Sequence, residues 1–135
     1  LDRSSAASDV YKRQELSLHG LFKKTVTPET EWIEAIGILL DNAIEASPKG
    51  STIFLSSKKQ GDFLELTVSN PAPPLSNTEF MALFGKGVTT KASRDGHGFG
   101  LYNILRMTER YHGKILTRNE SILNENYVVF GILMP

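Results

Sequence analysis

Three glycines at alternate positions, Gly96, Gly98 and Gly100 in GHGFGL, stand directly before a predicted helix. Glycine lets backbone N–H groups close on an anion at a helix's positive end, so a phosphate is the natural ligand, although a glycine-rich loop between two elements is more often plain flexibility. Two common phosphate loops are excluded: G-x-G-x-x-G would need glycine at Leu101, and Gly-Lys-Ser/Thr fails because Lys86 is followed by Gly87. Lys86, Lys91 and Arg94 could reach phosphates, Lys91 above all because it follows the hydroxyls of Thr89 and Thr90. Asn42 offers an uncharged amide oxygen of the hard kind Mg²⁺ accepts; the alternative is an asparagine that faces solvent or bonds its own backbone. Asn70 closes the alternating row Leu64, Leu66, Val68, which turns its amide toward the buried face just where PAPP breaks the strand. Its oxygen could accept there from an exocyclic amine such as adenine's, while its NH₂ donates to a ring nitrogen; an asparagine that bonds the following turn is the alternative. Asp41 and Glu45 are helical neighbours, but no second pair completes a metal cage, and His19, His97 and His112 are scattered.

These side chains need a scaffold. Thr27, Pro28 and Glu29 predict a helix start, with Thr27 as N-cap and Pro28 where its missing N–H is harmless. Trp32, Ile33, Ile36, Leu40, Ala43 and Ile44 recur at three- and four-residue spacing to about Ala46, and Pro48 with Gly50 ends the element. Asn42 then shares an arc with Ala35, Ile38, Glu45 and Ala46, whose small members leave room beside it. STIFLSSKK and FLELTVSN around Gln60, Gly61 and Asp62 predict a hairpin, and NTEFMALF predicts a short helix capped by Asn77 and ending at Gly85. The glycine-rich polar stretch 85–100 reads as a mobile loop. Leu101, Ile104, Leu105, Thr108 and Tyr111 form one face of the next helix, with Gly113 as its left-handed terminal residue. KILTRN and YVVFGILM are two last strands, the second so apolar that a central position is expected. Upstream, ELSLHGLFKKTV places Leu16, Leu18 and Phe22 in a period-two row, an outer strand with a bend at Gly20. Residues 1–14 are too polar to bury a face and read as a disordered or non-native lead-in to one domain over 15–135. The order of elements predicts an α+β two-layer sandwich, a mixed sheet of about five strands with about three helices on one face.

Composition narrows the function. The 135 residues carry 15 basic and 15 acidic side chains, so no overall positive field favours nucleic acid, and any anion site must be local. With no cysteine, thiolate zinc sites, disulfides and cysteine nucleophiles are out, and a cytoplasmic setting is the default. The longest apolar run, YVVFGILMP, is far short of the roughly 20 residues of a membrane helix, so no membrane contact is expected of this fragment.

ILLDNAIEAS, the strand ending at Asn70, FMALFGKGVTTK and GHGFGLYN, in that order, resemble the N, G1, F and G2 boxes of the GHKL ATPase superfamily, which includes gyrases, chaperones, histidine kinases and mismatch-repair proteins. Within it, LLDNAIEAS and GHGFGLYN look most like the catalytic domains of peptide quorum-sensing receptor histidine kinases. The resemblance implies the Bergerat fold over residues 15–135 and a nucleotide site formed by Asn42, Asn70, Phe84, Lys91, Gly96, His97, Gly98, Gly100 and Leu101. It makes Asn42 the holder of Mg²⁺, puts Asn70 where most relatives have an adenine-reading aspartate, and matches Phe80 and Phe84 to the F box. It implies ATP and Mg²⁺ as cofactors, a helical dimerisation domain carrying the phosphoacceptor histidine as partner, and a response regulator as indirect partner. Three departures stand out: Ala72 and Pro74 replace the usual G1 glycines, Asn70 is a neutral base reader, and Ile38 stands where ATP-hydrolysing branches carry a glutamate. A non-catalytic nucleotide-binding regulatory module and an anti-sigma-factor-type serine kinase are the alternatives.

Overall fold

The computed structural model describes residues 22, 25–85 and 100–135. In chain order these form α1 (Glu29–Ala46), β1 (Phe54–Gln60), β2 (Phe63–Pro71), α2 (Asn77–Leu83), α3 (Gly100–Arg110), β3 (Lys114–Ile122) and β4 (Glu125–Met134). The four strands make one sheet in the order β1-β2-β4-β3, every pairing antiparallel. The architecture is the expected α+β two-layer sandwich, but among the described residues the sheet is antiparallel and four-stranded rather than mixed and five-stranded. The expected opening strand falls mostly outside the described residues. Its Phe22 has helical backbone, and the amide of Val26, the last residue expected in that strand, donates to the Pro135 carbonyl at 3.1 Å, as does the Thr27 amide at 3.0 Å.

The core follows from the two periodicities. The α1 stripe of Trp32, Ala35, Ile36, Leu39, Leu40 and Ala43 is buried; Ile33 and Ile44, expected on it, are only half-buried, and Ala35, expected beside Asn42, is in the core, because the buried face is centred nearer Leu39 than the spacing suggested. The inward row of β2, Leu64, Leu66 and Val68, is buried as well. Val128, Phe130, Ile132 and Met134 of β4 complete the sheet's inner face, and β4 lies between β2 and β3 as its apolar composition requires. Each of the buried Val, Leu, Ile, Phe and Met side chains contributes about 1.5–3 kcal/mol when fully buried. Phe22 stacks on Trp32 with ring centroids 5.4 Å apart, and Phe80 meets Phe130 edge-on at 5.5 Å, which fastens α2 to the same face as α1 and α3.

Three terminus assignments change. Thr27 does not cap α1: its hydroxyl donates to the Pro135 carbonyl at 3.0 Å, and Pro28 holds the N-cap position without a side-chain bond. Ser76, not Asn77, caps α2, because Glu79 three residues on completes a capping box that Asn77 would lack. After α3 the left-handed residue is His112, at φ 60°. Gly113 serves close approach instead, since a Cβ there would collide with Met134 Sδ and lie 2.6 Å from the Leu133 carbonyl. No helix among the described residues is long and apolar enough to cross a membrane.

Candidate functional site

The site is framed by α1, the end of β2 and the start of α3. Helix α3 runs antiparallel to α1: Glu31 in the first turn of α1 accepts from Arg110 Nη1 at 3.4 Å and from the Tyr111 hydroxyl at 3.5 Å, while Gly100 at the other end of α3 lies against Ile38. A Cβ on Gly100 would come within 3.1 Å of Ile38 Cγ2, so the two helices are close here and a larger residue would have to push Ile38 aside. The positive end of α3 therefore faces the stretch of α1 that carries Asn42, which is half-buried one turn beyond Ile38. Leu101 is anchored in the core, so the first turn of α3 is held from below. Between the two helices runs a groove of about 270 Å³, with Ala35, Ile38, Ile104 and Met107 for a floor and Glu31, Glu34, Arg106 and Arg110 on its rims.

At the other side, Asn70 has no exposed surface. Its Nδ2 reaches the Pro71 carbonyl only at 3.4 Å, and its Oδ1 has no hydrogen-bond partner among the described residues. An unpaired acceptor in the interior costs about 1–3 kcal/mol, which a fold tolerates where a ligand supplies the missing donor. Beyond Asn70 the chain runs through Pro71, Ala72 and Pro73 along a hollow of about 420 Å³ shared with Ala46, Pro48, Glu125 and Asn126. That hollow joins the end of α1, one turn past Asn42, to the segment following Asn70.

Of the residues expected at the site, Asn42, Asn70, Gly100 and Leu101 sit on elements that pack together, α1 on β2 and on α3. Phe84 has a packing position: it is buried, with its ring 6.0 Å from that of Phe130, and with Phe80 it holds α2 down. Lys91, Gly96, His97 and Gly98, and the whole expected mobile loop apart from its two ends, lie outside the described residues. Two asparagines unremarked in the sequence hold the segment after Asn70, and one of them, Asn126, lines the hollow there. Asn119 of β3 and Asn126 of β4 bond the backbone of the proline-rich run at Leu75 and Ala72. The signal for them was the run itself: Pro71, Pro73 and Pro74 have no N–H, so a strand-like segment there needs side-chain partners.

Comparison with known proteins places this frame in a family. A family model described as "GHKL domain" matches residues 30–135. The chain belongs to the GHKL domain family. Sensor histidine kinase CitA of Klebsiella pneumoniae is 31% identical over 135 residues, an alignment covering 91% of this chain and 23% of CitA. Sensor protein PhoQ of Escherichia coli K12 is 29% identical over 139 residues, covering 95% of this chain and 27% of PhoQ. The chain thus spans about a quarter of the length of these relatives. Among solved structures, the mycobacterial sensor histidine kinase MprB superposes with a TM-score of 0.71 at 16% identity, covering 100% of this chain and 96% of that one. The catalytic domain of histidine kinase ThkA gives 0.65 at 21% identity, covering 98% and 93%. At these identities the structures show the fold alone.

Proposed function

We propose that this domain, over residues 15–135, binds Mg·ATP and supplies the γ-phosphoryl for autophosphorylation of a histidine on a separate helical dimerisation domain of its parent sensor kinase. The observation that carries the reading is Asn70 Oδ1, a buried acceptor without a donor at the end of β2. Adenine's exocyclic amine is a donor of the right kind, and the amide's NH₂, only weakly engaged at 3.4 Å, is free to turn to a ring nitrogen. The positive end of α3 beside α1 suits the phosphates. When bound, Mg²⁺ offsets charge on the phosphate oxygens, and Asn42 is the residue of this chain that would hold it. Catalysis on this reading is positioning: α1, β2 and α3 hold the nucleotide, while the nucleophile comes from the acceptor domain. Ile38, packed on Gly100, offers no base to activate water, so hydrolysis by the isolated domain is slow. A solved neighbour, ShkA, was crystallised with AMPPNP, an ATP analogue, and supports the ligand class. The reading extends to a membrane receptor of the peptide quorum-sensing type, with this domain on the cytosolic side and a response regulator downstream.

Calorimetric titration of ATP, ADP and GTP with and without Mg²⁺, followed by transfer from labelled ATP to a supplied histidine domain, tests this. ATP binding strengthened by Mg²⁺, with label on the histidine, is expected. Binding without transfer leaves a regulatory nucleotide module, label on a serine protein instead makes it an anti-sigma-type kinase, and no binding of any nucleotide ends the reading.

A further inference from the structure

The segment between Asn70 and α2 is short of donors. Pro71, Pro73 and Pro74 contribute carbonyls only, so a backbone ladder can continue no further than Ala72, whose N–H donates to the Asn126 carbonyl at 3.1 Å. From there two side-chain amides replace the missing strand. Asn126 Nδ2 donates to the Ala72 carbonyl at 2.8 Å. Asn119 Oδ1 accepts from the Leu75 N–H at 2.9 Å and Asn119 Nδ2 donates to the Leu75 carbonyl at 2.8 Å, so one carboxamide pairs with both backbone groups of one residue, as a neighbouring strand would. Asn126 Nδ2 also approaches Asn119 Oδ1 at 3.5 Å, which ties the two amides to each other. The clamped run starts two residues after Asn70 and ends at Leu75, next to the Ser76 cap of α2.

We infer that Asn119 and Asn126 are positioning residues for base recognition: by pinning residues 72–75 to the β3–β4 hairpin they fix where the Asn70 amide is presented. The inference rests on the proposed nucleotide reading and goes beyond it, because neither asparagine belongs to α1, β2 or α3. The clamp's bonds are exposed at Asn119, so water replaces them readily and their loss costs the free fold little. The cost falls on binding instead, which must then order a run that was ordered beforehand.

The test measures Mg·ATP and Mg·GTP affinities and nucleotide-free melting for the wild type, Asn119→Ala and Asn119→Asp. Aspartate still accepts from the Leu75 N–H but cannot donate to its carbonyl, so it keeps half the clamp. Asn119→Ala is expected to weaken ATP about threefold to tenfold, with a smaller loss for GTP so that base preference narrows, and Asn119→Asp to recover part of it. Melting should move by only about a degree or two. Unchanged ATP affinity, or equal losses for ATP and GTP, overturns the inference and leaves a loop staple. A wild type that binds no nucleotide fails the functional reading first, and the inference falls with it.

Discussion

The two ends of the candidate site are built on opposite terms. At the end proposed for the base a polar side chain is sealed inside the fold: Asn70 is fully buried, on a strand paired on both edges, with its oxygen unsatisfied. At the end proposed for the phosphates the side chains sit on helix surfaces, Asn42 and Ile38 half-buried, and the Ile38 side chain lies close against Gly100. A base is flat and weakly polar, so reading it takes a fixed amide in a dry place, where a single hydrogen bond discriminates. Phosphates carry charge and keep water and metal around them, so their end can be open and can rely on a helix terminus. The molecule therefore carries an energetic burden at one end and almost none at the other.

The largest expected effect breaks that asymmetry. Asn70→Leu replaces the orphaned amide with an apolar group of similar shape, and should both weaken Mg·ATP by about tenfold to a hundredfold and stabilise the nucleotide-free fold by about 1–3 kcal/mol. Denaturant melts and titration of the same variant check the two halves together. A variant that loses both stability and affinity would show Asn70 to be a structural cap of the strand end.

The next effect sharpens the comparison from the open end. Asn42→Ala removes a half-exposed amide from a long, well-buried helix, so stability should change by no more than about 0.5 kcal/mol. ATP affinity should fall by about tenfold with Mg²⁺ and hardly at all with chelator, because on the proposed reading the lost group holds the metal rather than the base. Equal losses in both conditions would make Asn42 a direct nucleotide contact or a helix-packing residue.

How much of this was legible follows the same division. The existence of the α1 helix with Trp32, Ile36, Leu40 and Ala43 inward, the alternating row that buries Asn70 and the central place of β4 could be read directly, because period and polarity determine which face turns inward, although the spacing missed Ala35 and Leu39 and overrated Ile33 and Ile44. Asn70's burial followed from that row alone. What could not be read was who satisfies whom across long sequence distances. Thr27 looked like a cap but spends its hydroxyl on Pro135, 108 residues away. Nothing in the sequence marked Asn119, which pairs with Leu75, 44 residues away. Gly113 has a flexible residue's position, yet the space it leaves is needed by Met134, while His112 takes the left-handed turn. Such partnerships depend on packing that propensity does not encode.

The smallest expected effect concerns the exposed cap that follows the clamped run. Glu79 accepts from the Ser76 N–H at 3.0 Å, and its own N–H donates to the Ser76 hydroxyl at 3.1 Å. The Ser76 backbone bond first, and its side-chain bond second, hold the Glu79 carboxyl below its ordinary 4.5. Because the folded value is the lower one, the ionised carboxylate adds stability that is present above 4.5 and is lost as the pH falls through the depressed folded value. Glutamine can also complete a capping box but does not titrate, so Glu79→Gln isolates the charge. The melting difference between wild type and Glu79→Gln should be small at neutral pH and vanish on acidification below 4.5, whereas ATP affinity at neutral pH should be the same for both. Helix α2 meets the core through Phe80 and Phe84, so a frayed first turn leaves those rings seated on Phe130. A loss of ATP affinity in Glu79→Gln would mean that the start of α2 belongs to the base end, and that the sealed region extends from Asn70 through Ser76 to the cap itself.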